Sequence, residues 1–258
     1  MDDERPLRRV SVTVPLHRAE EARAAMLELF PEGFEEVDEG DDVQLAAYTD
    51  SSGEERLWHR FGGVRAAEVE RGWEERWRDF HRPVTIGPLW IGPPWEEPPA
   101  GASTVVIDPG RAFGTGAHAT TRLCLGLLVD LPPGSLLDVG CGSGVIAIAG
   151  TRLGFAPVVA VDVDPVAVEM TLANAHANGV EVEASILDAT SDALPAAAVA
   201  VANVSLAAAE QIAPRLACRT LVTSGYLASE RLQLTAYGHV RRVEEEGWAA
   251  DVWAATSE

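Results

Sequence analysis

Apolar and polar positions alternate along residues 1–71 in a way that predicts a small mixed domain. Val10, Val12 and Val14 alternate with polar residues, as they do in a half-buried strand. Residues 18–30 follow with apolar side chains at helical spacing. The stretches after that predict two strands, a helix and a last strand, at 33–38, 42–48, 54–61 and 64–69. The order βαββαβ predicts a ferredoxin-like α+β module.

From about residue 101 the pattern changes to short β-rich runs that alternate with Ala-rich helical stretches. Strands alternating with helices indicate a parallel sheet covered on both faces. We expect each of the first four strands to lead into a helix, and residues 239–256 to form a hairpin around Glu246-Gly247. The result is an α/β domain with a mostly parallel, seven-stranded sheet. Its first five strands are predicted at 135–139, 157–162, 181–187, 198–203 and 219–224.

The segment between these two patterns, residues 72–100, contains six prolines and four tryptophans. Tryptophans among prolines indicate an ordered connector that packs on a domain, and not a floppy linker. The predicted organisation is therefore an N-terminal domain over 1–71, a connector over 72–100 packed on the larger domain, and that larger domain over 101–258.

Charge and composition narrow the class of partner. The formal net charge is −20, with 20 basic and 40 acidic residues, which disfavours nucleic-acid binding because such binding depends on cations that displace counterions. A basic protein is a more natural partner, although acidity that serves only solubility stays open. No apolar run is long enough to span a membrane, and the acidic start lacks a signal-peptide layout. Three widely spaced cysteines fit neither a disulfide framework nor a metal site, so we expect reduced thiols in the cytoplasm.

The central motif is the apolar run before Asp138-Val139, followed by Gly140-Cys141-Gly142-Ser143-Gly144 and then a helical stretch. Three glycines at alternate positions let the backbone turn sharply and approach a ligand closely. The dinucleotide-binding fingerprint needs a glycine where Val145 stands, and a Walker phosphate loop needs a lysine, which this chain lacks altogether. A Gly-x-Gly-x-Gly turn preceded by an acid resembles instead the first motif of class I methyltransferases.

Acidic residues follow the next two predicted strands. Asp162 ends the second strand, where a carboxylate can accept hydrogen bonds from both ribose hydroxyls of a nucleotide-like cofactor. Asp164 precedes Pro165 and is expected to be a helix N-cap. Asp188, just after the third strand, is where this fold usually places an acid or amide near an adenine amino group. A binding role and a structural role are both open for Asp188.

Two further segments resemble one family. Residues 113–121 read Phe-Gly-Thr-Gly-Ala-His-Ala-Thr-Thr, and residues 201–204 read Val-Ala-Asn-Val. With the glycine motif, they are similar to the PrmA-type methyltransferases, which trimethylate amino groups of ribosomal protein L11. The resemblance is clear over about 73–256 and only topological over 1–71. It implies a Rossmann-like class I domain, S-adenosyl-L-methionine as cofactor, a monomer, and an N-terminal domain that recognises the ribosomal protein.

Residue roles follow from this resemblance. It implies cofactor contacts at Thr121, Gly140, Asp162 and Asn203, and Asn203 is also the expected catalytic residue, which orients the acceptor amine and is not a proton acceptor. A helix N-cap is open for Thr120 and Thr121, and His118 could be a general base or a structural residue. Phe113 could cover the cofactor or only pack. Further cofactor contacts are expected at Gly142, Phe113, Thr115, Gly116 and Asp188.

Some positions depart from the family pattern and leave the acceptor open. Val204-Ser205 follows Asn203 where relatives commonly have Ile-Leu or Leu, Ala217-Cys218-Arg219 replaces Pro-Gly-Gly, and Ala117 stands where His or Thr is frequent. The expected activity is methyl transfer to lysine or N-terminal amino groups of ribosomal protein L11. A related methyltransferase with another protein or small-molecule amine acceptor is the alternative. A cofactor-binding protein without catalysis is a third hypothesis, which the intact Asn203 disfavours.

Overall fold

The chain divides into two compact units, Met1–Phe80 and His81–Glu258. The structure is a computed structural model. It describes residues 8–30, 34–38, 40, 42–49, 51–68, 82–108 and 116–256.

The first unit is a four-stranded antiparallel sheet with two helices. Its strands lie in the order β2-β3-β1-β4. Strand β3 therefore lies between β1 and β2, and β1 lies between β3 and β4. Val10 and Val12 of β1 face a core that includes Met26 and Leu57 from the helices, which explains the alternation along β1. The elements are β1 Arg8–Pro15, α1 Ala19–Leu29, β2 Glu35–Asp38, β3 Asp42–Thr49, α2 Ser51–Phe61 and β4 Arg65–Glu68.

The second unit begins with a small sheet and continues into a large α/β sheet. Strands β5 and β6, within the predicted connector, form a hairpin, and β6 pairs in parallel with β7. Leu89 and Ile91 of β6 are buried in the same core cluster as α3 and α4. The elements are β5 Val84–Ile86, β6 Leu89–Gly92, β7 Ser103–Val106, α3 Ala119–Val129, β8 Leu136–Val139, α4 Val145–Arg152, β9 Val158–Asp162, α5 Pro165–Ala177, β10 Glu183–Ile186, β11 Ala197–Asn203, α6 Leu206–Ile212, β12 Cys218–Leu227, β13 Tyr237–Glu245 and β14 Trp248–Ala255.

The large sheet has the strand order β10-β9-β8-β11-β12-β14-β13. The first five strands in this order are parallel, and β14 is inserted antiparallel between β12 and β13. The predicted mostly parallel, seven-stranded sheet and its C-terminal hairpin are therefore confirmed. The strand order reverses between β8 and β11, and we call this place the switch point. Open α/β sheets bind ligands at the carboxyl ends of the strands beside a switch point.

One predicted helix is wrong. We expected the third strand of this sheet, now β10, to lead into a helix, but residues 187–196 form turns and irregular chain. The Asp188 carboxylate accepts hydrogen bonds from the Thr190 N–H at 2.8 Å and from the Thr190 hydroxyl at 2.6 Å. Such side-chain to backbone bonds compete with helix formation, and the turn they form replaces the expected first helical turn.

Among the helices in the described ranges, none is long and apolar enough to cross a membrane.

Candidate cofactor and acceptor site

The glycine turn between β8 and α4 folds over the end of β9. The Gly140 and Cys141 N–H groups donate to the Val161 carbonyl at 2.8 and 3.2 Å. Gly140 has φ +73°, and a Cβ there would lie 2.8 Å from Cγ1 of Val204 at the end of β11. Only glycine meets both conditions without strain, because it tolerates positive φ and lets two strand ends approach closely. The turn is therefore a backbone-lined cradle at the switch point.

Asp162 stands at the edge of this cradle, held by the backbone. One carboxylate oxygen accepts from the Gly142 N–H at 3.0 Å and the other from the Asp164 N–H at 3.0 Å. The Asp164 side chain accepts from the Val166 N–H at 2.8 Å at the start of α5, with Pro165 next to it. The predicted N-cap role of Asp164 is thus confirmed, and the structure brings the two expected cofactor-contact residues Gly142 and Asp162 together.

Asp138 is a buried acid below the cradle, only 1% exposed. One of its carboxylate oxygens accepts from the Ala147 N–H at 3.1 Å. The other has no hydrogen-bond partner among the described residues. Burial raises the pKa of Asp138 to about 7, opposed by the Ala147 hydrogen bond. A buried oxygen without a donor is costly, and it marks a place where a ligand or water donor would be favoured.

Asn203 and Thr121 meet across the switch point although they are 82 positions apart. Asn203 ends β11, and its amide N–H donates to the hydroxyl of Thr121 in the first turn of α3 at 3.4 Å. Thr121 is buried and Asn203 is half-buried. Because the amide donor points at Thr121, the amide oxygen points away from it.

His118 is the N-cap of α3, so neither Thr120 nor Thr121 is. Its Nδ1 lies 2.8 Å from the Thr120 hydroxyl and accepts from the Thr120 N–H at 3.4 Å. Its ring packs edge-on against Trp248, with the centroids 5.0 Å apart. Burial lowers the pKa of His118, which favours the neutral ring that can accept a hydrogen bond. The structural interpretation of His118 fits these contacts.

Of the other predicted cofactor contacts, the structure describes Asp188 and Gly116 but not Phe113 and Thr115. The N–H of Leu187, next to Asp188, donates to the Asp162 carbonyl at 2.8 Å, so the loop after β10 lies beside the cradle. Hydrogen bonds from Thr190 hold the pKa of Asp188 below its usual range. Gly116 has φ +89° just before α3. Phe113 and Thr115 lie outside the described residues.

A bulge in β12 lies against the residue after Asn203, and the sequence did not predict it. The Val204 N–H donates to the Ser224 carbonyl at 3.0 Å. The register with β14 shifts between Ser224 and Tyr226. At Gly225, with φ +98°, a Cβ would lie 2.2 Å from the Val204 carbonyl oxygen. The Ser224-Gly225 segment therefore holds the backbone that follows Asn203.

Behind this bulge is a buried charged network that the sequence analysis also missed. The Tyr226 hydroxyl donates to Asp251 at 2.8 Å, and both residues are 1% exposed. Asp251 also accepts from Arg242 at 3.0 Å and contacts His239 at 2.7 Å. Burial raises the pKa of the Tyr226 hydroxyl above its usual value, so it stays a donor. The Ser-Gly-Tyr run at 224–226 could have indicated that Tyr226 takes part in such a network, but no neighbouring residue in the sequence indicated Asp251.

Two buried asparagines, Asn174 in α5 and Asn178 at its C-terminal cap, connect the cradle to the chain that follows β7. Asn174 donates to the Ser143 carbonyl at 2.9 Å and accepts from the Asp108 N–H at 3.2 Å. One turn later, Asn178 donates to the Val106 carbonyl at 2.6 Å and accepts from the Val106 N–H at 2.8 Å. Buried amides on an apolar helix face were the signal that could have found them.

Fold and site together define the class. Class I methyltransferases combine a switch point of this kind with a glycine cradle after the first strand of the large sheet. They also have an acid at the end of the second strand and an antiparallel strand inserted next to the sheet edge, as β14 is here. The family profile described as "Ribosomal protein L11 methyltransferase (PrmA)" matches residues 23–256. The chain belongs to this family.

Relatives named ribosomal protein L11 methyltransferase are similar over most of the chain. The protein from Symbiobacterium thermophilum is 40% identical over 200 residues, covering 70% of this chain and 65% of its own length. That from Serratia proteamaculans is 36% identical, covering 73% and 66%. That from Legionella pneumophila (strain Paris) is 38% identical, covering 72% and 70%. The chain thus spans slightly less than two thirds of the first two relatives.

A solved structure supports the fold. The crystal structure titled ribosomal protein L11 methylase from Lactobacillus delbrueckii subsp. bulgaricus aligns with a TM-score of 0.59 at 24% identity. The alignment covers 69% of this chain and all of that one.

Proposed function

We propose that this chain is an S-adenosyl-L-methionine-dependent protein N-methyltransferase that methylates lysine and/or N-terminal amino groups of ribosomal protein L11. The observation that carries the proposal is the meeting of a glycine cradle and the Asn203–Thr121 pair at one switch point. The names of the relatives support the same acceptor.

The residues of the cradle suit the cofactor. Asp162 is fixed at the end of β9 by two backbone donors, and its remaining lone pairs can accept from the two ribose hydroxyls. Gly140 and Gly142 allow the backbone to approach the ligand without a Cβ. The unpartnered oxygen of Asp138 suits a donor such as an ammonium group or a bridging water. Contacts from Thr121, Gly116, Phe113, Thr115 and Asp188 remain part of the proposal.

When bound, S-adenosyl-L-methionine supplies an electrophilic methyl group on a sulfonium. The residues of the chain must then hold a neutral amine in line with that group, since alignment supplies most of the rate. An α-amino group has a pKa near ~8, whereas that of lysine is near ~10.4, so lysine needs more help to lose its proton. In this proposal the Asn203 amide oxygen, which is directed away from Thr121, accepts a hydrogen bond from the amine and orients it.

The organisation of the protein completes the proposal. Residues 1–71 would recognise the ribosomal protein, 72–100 would connect, and 101–258 would carry out the reaction. The acidic chain suits a basic ribosomal protein. Because the acceptor is ribosomal and the three cysteines are free thiols, we place the enzyme in the cytoplasm, acting as a monomer.

The proposal is tested by measuring cofactor binding and methyl transfer separately. Calorimetry with S-adenosylhomocysteine should give a one-to-one complex, and labelled S-adenosyl-L-methionine should transfer its methyl group to purified L11 from the same organism. Transfer to a different band in a lysate, with L11 unlabelled, would refute the acceptor but not the chemistry. Cofactor binding without any labelled product would refute the enzyme assignment.

The orienting role of Asn203 has its own test. Replacing Asn203 with Ala should lower the single-turnover rate about a hundredfold, because the amine is no longer aligned. The melting temperature should change little, since the side chain is only half-buried. Thr121→Val, which removes only the hydroxyl beside Asn203, is the matched comparison and should lower the rate less. Unchanged methylation by Asn203→Ala would rule out the role.

A further inference from the structure

The N-terminal unit contains a groove whose described lining comes from residues of this unit. Its volume is about 460 Å³, within the range of ligand-binding clefts. One wall is the strand segment Ser11–Pro15 of β1, and the other is the turn from Arg60 to Arg65 between α2 and β4. Gly62 and Gly63 in this turn have no atoms within 4 Å of a Cβ built on them, so space lies beside them.

One wall of this groove is an open strand edge. Strand β3 pairs with the whole of β1, from Arg8 to Pro15, whereas β4 pairs with β1 only from Arg8 to Ser11. In the part of the chain that the structure describes, no strand covers the second edge of Val12–Pro15. Alternate residues of an unpaired edge present their main-chain N–H and C=O groups outward, ready to pair with another chain.

The charge of the groove is opposite to that of the protein. Arg60 and Arg65 line it, together with Arg18, and no acidic residue is among its described lining residues. Within the described ranges neither Arg60 nor Arg65 has a carboxylate within ion-pair distance. In a chain of net charge −20, Arg60 and Arg65 beside this groove form a local anion-binding subsite.

We propose that this groove binds an extended acidic peptide, which adds to the free edge of β1 as a further strand. Main-chain pairing with Val12–Val14 and with the Pro15 carbonyl would provide affinity, and Arg60 and Arg65 would select carboxylate side chains. The open edge favours a peptide over a small anion, because a phosphate would use the arginines but not the strand. The proposal does not depend on methyl transfer, since it concerns the N-terminal unit alone.

The test uses the full chain and a fluorescent peptide of alternating Glu and Val, eight residues long, followed by anisotropy. We expect it to bind at least about tenfold more tightly than the same peptide with Lys in place of Glu, and to weaken as salt is raised. The same acidic peptide with N-methyl groups at alternate residues keeps its charge but lacks the main-chain N–H groups along one of its edges. It should bind about tenfold more weakly than the unmethylated peptide, because that edge can no longer pair with β1. Competition by inorganic tripolyphosphate should be weak.

Variants then locate the site. Gly63→Leu fills the groove at a position of ordinary φ, and Arg60→Gln with Arg65→Gln removes its charge; both should weaken the acidic peptide about tenfold or more. Arg219→Gln, an exposed arginine of the other unit, is the charge control and should bind as the unaltered protein does. Circular dichroism of each variant checks folding.

Three results would overturn the proposal. Equal binding of the acidic and basic peptides would remove the role of the arginines. Equal binding of the N-methylated peptide, or full displacement by tripolyphosphate, would show a simple anion site without strand addition. No binding by the unaltered protein at high micromolar concentration would show that the groove does not accept such a peptide at all.

Discussion

The two sides of the switch point are constructed differently. On the cofactor side, between β8 and β9, the shape depends on glycines and on backbone N–H groups that bind Asp162. On the other side, between β11 and β14, where we propose that the acceptor binds, the backbone after Asn203 rests on a bulge supported by Asp251 and Arg242. The proposed cofactor side is therefore defined by local sequence, whereas the proposed acceptor side needs long-range side-chain contacts. Substitutions on the two sides should therefore have different effects on stability, cofactor binding and turnover.

The largest effect is expected from Asp251→Ala. It leaves the guanidinium of Arg242, which is 14% exposed, without its buried partner, and we expect a loss of about 3–5 kcal/mol in the free energy of unfolding. Urea denaturation measures it. The control is Asp130→Ala, whose ion pair with Arg241 is exposed on both sides and should contribute about 0–1 kcal/mol. Equal losses in the two variants would mean that the acceptor side does not depend on its buried network.

Gly225→Ala should have the next largest effect. It combines a positive φ with a clash against the Val204 carbonyl, and backbone strain of this kind costs about 1–3 kcal/mol. We expect kcat to fall while the Kd for S-adenosylhomocysteine is kept, because the displaced residue follows Asn203. Gly247→Ala is the matched control, since Gly247 has φ +79° but no atom within 4 Å of the new Cβ. A comparable loss of kcat in that control would contradict the role of the bulge.

Asp162→Asn should act on the cofactor side alone. Replacing the carboxylate removes the proposed charge-assisted hydrogen bonds to the ribose, so the Kd for S-adenosylhomocysteine should rise about tenfold, or about 1.4 kcal/mol. An asparagine side chain has one acceptor oxygen, so one of the two backbone donors at Asp162 loses its partner, and the free energy of unfolding should fall by about 1 kcal/mol. Asp164→Asn, two residues away, keeps its N-cap capacity and should bind the cofactor normally. If both variants weaken binding equally, Asp162 has no special place in the cradle.

The last prediction concerns the pH dependence of stability. Burial raises the pKa of Asp138 to about 7, so between about pH 5 and pH 7 the folded chain keeps a proton that the unfolded chain has lost. This group therefore makes stability fall as pH rises through that window, by no more than about 1.4 kcal/mol per pH unit, and adds no slope above it. Asp138→Asn should show a flatter profile in urea denaturation at pH 5, 6, 7 and 8. Identical slopes in the two proteins would disprove the raised pKa.

Sequence patterns predicted the parts of the fold that depend on neighbouring residues. The strands β8, β9 and β11 lie within about two residues of the predicted ranges, because apolar runs end at Gly140, Asp162 and Asn203. The helix expected after β10 failed because the Asp188 side chain captures local N–H groups. Phe113 and Thr115 stay predictions, as do the domain boundaries at 71 and 100.

Other features could not be predicted because they depend on pairing register. Asp251 reaches Tyr226 only because β14 pairs with β12 with Thr223 opposite Asp251 and a bulge after Ser224. The groove beside β1 exists because β4 is four residues long while β1 has eight. Alternation of apolar residues indicates a strand, but it does not specify how far its neighbour runs alongside.

The position of β14 has a consequence for the order in which the protein can assemble during synthesis. This strand is the last of the large sheet to leave the ribosome, yet it lies between β12 and β13 and pairs with both. Before it emerges, a nascent chain can form the glycine cradle, but β12 has an open edge and β13 has no place in the sheet. The glycine cradle can therefore form first, whereas the backbone that follows Asn203 gains its full support only once β14 has been made.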